Sequence, residues 1–179
     1  MNHILQSEAE CYPTTIAMLS NQPVKKVIQT LLRDTPYNTW QEMMVSSTFT
    51  RIDVFDHVTR IIHRNAQSIL PWISTKALRA FPTDQPVGLS LSPLALSGRG
   101  TITVRKPGAG HVVAFENNMI YDPGISAPIN WRLWKMLHDM SGAKVVDITV
   151  DPESIRHEET KEAEETESEV SRYPHSENW

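Results

Sequence analysis

The sequence predicts an α+β fold, with helices gathered in its first half and an antiparallel sheet in its second. Three observations lead there. Apolar residues recur at helical spacing up to about residue 65, short runs with strand character and turn residues between them follow from about residue 87, and no βαβ alternation links the halves. A chain of 179 residues, 40% of them hydrophobic, suits one domain with a sizeable core.

Taken in order, the apolar helical pattern that begins at Ile16 follows Pro13, a residue tolerated in the first turn of a helix, so a first helix starts at or just after Cys11. Val24, Val27, Ile28, Leu31 and Leu32 lie at i, i+3, i+4, i+7 and i+8, the face of a second helix that opens behind Pro23. Trp40 to Ser47 suits a shorter helical piece. A further helix is expected over Asp53 to Asn65, with Asp53 as its N-cap and Val54, Val58, Ile61 and Ile62 apolar. Pro71, Pro82, Pro86 and Pro93 divide the middle into short segments, of which Val87 to Ser92 alternates like a strand. Strands are then expected at Thr101–Val104, Gly110–Phe115 and Met119–Tyr121. Ile129, Leu133, Met136, Leu137 and Met140 mark a late helix, and Lys144–Val150 a closing strand.

Charge narrows the function. Seventeen Lys and Arg against 21 Asp and Glu give a net charge of −4 and no basic stripe for phosphates, so no nucleic-acid partner is expected. Arg156 to Trp179 carries three of the basic and eight of the acidic residues, which leaves the body near neutral. That Glu-rich stretch has too few apolar residues to offset the entropy of ordering. The expected division is therefore a folded domain over 1–155 and a disordered acidic tail over 156–179, either simply solvated or engaged by a partner. No apolar run approaches the roughly 18 residues of a membrane span. The N-terminus lacks the basic and apolar regions of a secretory signal, so a cytoplasmic location is the expectation. A single cysteine excludes an internal disulfide and a multi-thiolate zinc site, and neither a metal nor a cofactor is expected.

That cysteine, Cys11, stands where a helix dipole and unpaired N–H groups favour the thiolate. The position also suits a thiol packed as a small hydrophobe. His111 opens the string GHVVAFENNMIYDPG, which reads as a hairpin turning at Asn117-Asn118, because Asn tolerates positive φ. With a two-residue loop, Glu116 pairs with Met119, Phe115 with Ile120 and Val113 with Asp122, and His111 and Asp122 share a face as diagonal neighbours about 7 Å apart or less. A three-residue loop would separate them. A carboxylate that fixes a His tautomer is half of a Cys-His-Asp arrangement for attack on a carbonyl. The same residues also read as a strand histidine and an Asp-Pro-Gly turn. Gln6 offers an amide that could donate to an oxyanion beside the Cys11 N–H, or it is an exposed loop residue.

Other candidates lack the required spacing. His57 and His63 are six apart on one helix, Gly98-Arg99-Gly100 lacks the rest of a phosphate loop, and Ser90 and Ser92 lack an elbow motif. Trp131 and Trp134 read as core or groove wall.

The two strings that hold these residues are similar to a known family. ILQSEAECYPTTIAML resembles the opening of the bacteriocin-processing cysteine peptidases, papain-like domains that cleave leader peptides after a double glycine and are usually fused to ABC exporters. GHVVAFENNMIYDPG resembles that family's His and Asp-Pro motif. The likeness covers about thirty residues, in order. It implies a papain-like fold with Cys11 as nucleophile at the head of a helix packed on an antiparallel sheet, His111 as base, Asp122 as orienting carboxylate and Gln6 as oxyanion donor. It further implies a peptide or protein substrate and a stand-alone relative without the exporter. Two alternatives stand beside the peptidase: a silent module of the same fold that holds a peptide without cutting it, and a transglutaminase-like or amidase acyl transfer.

Overall fold

The computed structural model describes residues 1–7, 10–49, 52–74, 96–106 and 109–155. The strand expected over Val87–Ser92 and the tail expected over 156–179 lie outside them. The elements run α1 (Cys11–Ser20), α2 (Val24–Leu31), α3 (Trp40–Phe49), α4 (Ile52–Gln67), β1 (Arg99–Lys106), β2 (Ala109–Glu116), β3 (Met119–Tyr121), β4 (Ile129–Asn130), α5 (Trp131–Met140) and β5 (Lys144–Val150). A helical turn over 152–155 follows. The fold class is α+β as expected, with a single five-stranded antiparallel sheet in the order β4-β3-β2-β1-β5.

The first helix is buried on every side from Tyr12 to Leu19, which is why its sequence, YPTTIAML, is apolar or small all round. It ends at Asn21, whose φ of 53° is a left-handed stop. Around it α2 contributes Val27 and Leu31, α3 Trp40 and Met43, and α4 Val58, Ile62 and Ala66, while β2 adds Val112 and Ala114. Asn65, buried in α4, donates from Nδ2 to the carbonyls of Leu31 (3.1 Å) and Arg33 (2.7 Å), so the end of α2 is satisfied by a neighbouring helix. Asp53 falls inside the first turn of α4 rather than at its N-cap. A carboxylate there still complements the helix dipole.

The alternation of β2 sends Val113 and Phe115 to the opposite face, where they meet Ile102, Val104, Ile120 and Trp134. The sheet is therefore covered on both sides. Strands β1 and β2 are longer than their apolar cores, because hydrogen-bonded partners draw polar end residues such as Arg99 and Arg105 into the ladder. Gly100 is required in β1: a Cβ there would lie 2.7 Å from the Phe115 ring and 2.1 Å from the Thr149 carbonyl oxygen. The turn between β2 and β3 is the two-residue Asn117-Asn118 loop, with φ values of 51° and 62°. Its register is Glu116↔Met119, Phe115↔Ile120 and Ala114↔Tyr121.

The late helix corrects the sequence expectation. Ile129 belongs to β4, and Leu133, Met136 and Leu137 are 46%, 53% and 46% exposed. Trp134 is fully buried in their place. The aliphatic residues that mark this helix lie largely toward solvent, and the buried position is held by one large indole with a polar partner. Among the described residues no helix is long and apolar enough to cross a membrane.

Candidate active site

Cys11 is the first residue of α1, and no side chain caps that helix. The Thr14 N–H already bonds the Glu10 carbonyl at 3.0 Å and Pro13 has no N–H, so the Cys11 and Tyr12 amides are left at the helix end. One turn on, the buried Thr15 hydroxyl donates to the Val112 carbonyl at 3.1 Å. Thr15 is on the Cys11 face of the helix and Val112 adjoins His111, so this bond sets the helix end against the strand position that carries the imidazole.

The predicted hairpin geometry is realised at His111 and Asp122. His111 Nε2 lies 2.8 Å from Asp122 Oδ1, and Cys11 is near enough for its side chain to act on the imidazole's pKa. Asp122 is 3% exposed and is surrounded by donors. Its Oδ1 also accepts the Gly124 N–H at 2.8 Å, and its Oδ2 accepts the Trp134 indole N–H at 2.8 Å. Burial opposes the carboxylate's charge, but the His111 bond and charge, with the Trp134 and Gly124 donors, hold its pKa below the ordinary value. Burial likewise works to lower the pKa of His111. The hydrogen bonds and charges of Asp122 and Cys11 outweigh it and raise that pKa from 6.5 to about 9.

The segment before α1 is strapped to the same place. His3 Nε2 donates to the Asp122 carbonyl at 2.9 Å, and the Gln6 N–H donates to the Pro123 carbonyl at 2.9 Å. Gln6 is thus placed beside the Asp122-Pro123 turn, with its side-chain Oε1 buried and taking up no hydrogen bond among the described residues. Tyr12 Oη and Thr14 Oγ1 are buried in the same condition, and burial pushes the Tyr12 phenol's pKa up.

Two neighbours of the site were not legible as such. Trp134 reads in the sequence as core or groove wall; it is both buried and the donor that fixes Asp122. One helical turn later, His138 stacks on the Trp134 ring at 4.0 Å and lies parallel to His111 at 6.4 Å between centroids. The i, i+4 spacing of Trp134 and His138 places them on one helix face, and that was the available signal. His57 and His63 sit on α4, away from these elements in the chain order, and no three His, Cys, Asp or Glu side chains gather as a metal site among the described residues.

An imidazole bonded to a buried carboxylate, with a thiol at a helix N-terminus near it, can keep a thiolate beside an imidazolium and pass a proton to a leaving group. Comparison with models of protein families, with curated proteins and with solved structures brought no significant match.

Proposed function

We propose that this chain is a cysteine peptidase, or a closely related acyl hydrolase, of the papain-like kind, acting through Cys11, His111 and Asp122. One observation carries the reading: the buried, fully donor-satisfied Asp122 bonds the imidazole of His111, on whose charge the nearby Cys11 at the head of α1 also acts. The resemblance of the two strings to the bacteriocin-processing peptidases supports it.

In the reaction, the Cys11 thiolate attacks an amide carbonyl, and the tetrahedral oxyanion meets the N–H groups at the start of α1, with the Gln6 amide as a further donor. Collapse breaks the C–N bond while the His111 imidazolium gives its proton to the leaving amine. Water then attacks the thioester as neutral His111 takes its proton. The carboxylic product leaves, and the thiolate and imidazolium are restored.

The first test is the rate of Cys11 alkylation by iodoacetamide against pH, in the wild type and in His111→Ala. The expected result is fast alkylation at neutral pH that is lost in the variant. Equal, slow alkylation in both would overturn the mechanism and leave a peptide-binding module as the better reading. Peptide-library cleavage that is absent in Cys11→Ala completes the case, and near-wild-type cleavage in a clean Cys11→Ala preparation would end it.

A further inference from the structure

His138 takes no part in the chemistry just described, yet it is held as firmly as the residues that do. Its Nδ1–H donates to the Trp134 carbonyl at 3.0 Å, and its ring stacks on the Trp134 indole with centroids 4.0 Å apart. The indole is itself fully buried and bonded to Asp122. This fixed ring also neighbours His111: the two imidazoles lie within 6° of parallel, 6.4 Å apart between centroids.

His111 has a requirement that Asp122 alone meets only in part. For the proposed mechanism it must keep Nε2 on Asp122 while its other ring nitrogen serves Cys11, and the Cβ–Cγ torsion of an imidazole is intrinsically broad. Asp122 restrains one edge of the ring and leaves its tilt free. A rigid, parallel ring at stacking range limits that tilt. We propose that His138 is a positioning residue for the Cys11–His111 pair, its ring forming a wall that sets the rotation of the His111 imidazole. The inference rests on the Cys-His-Asp reading above. Around His111 the side chains that shift its pKa are Asp122 after β3 and Cys11 from α1, and His138 from α5 faces it as a further titratable group.

The test measures iodoacetamide alkylation of Cys11, and the titration of His111 by NMR, in the intact chain carrying His138→Ala, His138→Phe or His138→Leu. With the wall removed, His111 makes its two bonds for less of the time. Alkylation at neutral pH then falls by about tenfold in His138→Ala, a loss typical of slight misplacement of a reacting group. The His111 titration moves down from about 9 toward 6.5. His138→Phe, which keeps a flat ring, restores the rate to within about threefold. Leu fills the volume without a flat ring, so it behaves as Ala does and covers the case in which the Ala variant does not fold. Equal profiles for Leu and Phe, or a wild-type titration of His111 in His138→Ala, would overturn the positioning role while leaving the nucleophile reading intact. Alkylation that is indifferent to His111 itself would overturn both.

Discussion

At the scale of single residues, Asp122 is the point on which the site turns, because both of its oxygens are committed to donors that have nowhere else to go. In Asp122→Asn one face of the side chain must oppose N–H to N–H, against either Trp134 or the His111 and Gly124 pair. That variant should fold, lose about 2 kcal/mol of stability in chemical denaturation, and turn over peptide about 10²- to 10⁴-fold more slowly. Trp134→Phe keeps the ring and removes the indole N–H, so Asp122 Oδ2 is left buried without its donor. A cost of about 1–3 kcal/mol is expected. The pH dependence follows from the same ion pair. His111 has its pKa raised from 6.5 to about 9, so its contribution to stability is fully present below 6.5 and is lost as pH rises through about 9. Asp122 has its pKa lowered, so its share is present above the ordinary carboxylate value and is lost as pH falls through its folded value. These are two views of one interaction and do not add. In kinetics, kcat/KM should fall above about pH 9, where His111 no longer carries the proton for the leaving amine. An alkaline limb near 6.5 instead would show that the pair is not formed.

At the scale of elements, the parts that were legible in the sequence are those whose local chemistry and long-range partners agree. The Asn117-Asn118 turn admits a two-residue loop, alternation in β2 fixes which side chains face together, and the two rules converge on the register observed. Cys11 at a helix start is likewise a local matter of Pro13 and the apolar run behind it. What escaped was decided by tertiary partners. The face of α5 is chosen by the bond from Trp134 to Asp122 and not by the count of aliphatic residues, and β4 exists only because Met119 and Ile120 offer it a partner. Gln6 is placed by backbone bonding to Pro123, which no pattern in its own segment announces. Two substitutions test the elements. Gly100→Ala should destabilise the sheet by about 1–3 kcal/mol, since Phe115 and the Thr149 carbonyl already occupy the space. Thr15→Val removes the hydroxyl's bond from α1 to the β2 backbone, and stability in thermal unfolding should drop by about 1–2 kcal/mol with slower Cys11 alkylation. Unchanged alkylation there would mean that packing alone holds Cys11 to His111.

Across the whole molecule, the sheet divides two cores, and the segment that follows β5 closes back on β1. Arg99 in β1 bonds Asp151 beyond β5, and Asp151, 3% exposed, also receives the Glu153 N–H at 3.1 Å. Removing that carboxylate leaves a guanidinium and a backbone donor without their partner, so Asp151→Ala should cost about 2–4 kcal/mol by denaturation. Because the pair lies at the far end of β1 from the Val104↔His111 register, the pH profile of Cys11 alkylation should be unchanged under folding conditions.

The span of the bond from Thr15 to Val112, 97 positions, also has a meaning in time. A ribosome adding about 5–20 residues per second makes the thiol several seconds before it makes the imidazole. It adds α5, with the indole that secures Asp122, later still. During that interval a thiol emerges into the cell with no base beside it, next to other nascent chains that offer amide bonds in abundance. On the proposed function, the capacity to cut is therefore assembled late, once the sheet and α5 are made, and a chain released before them carries the nucleophile without the means to use it.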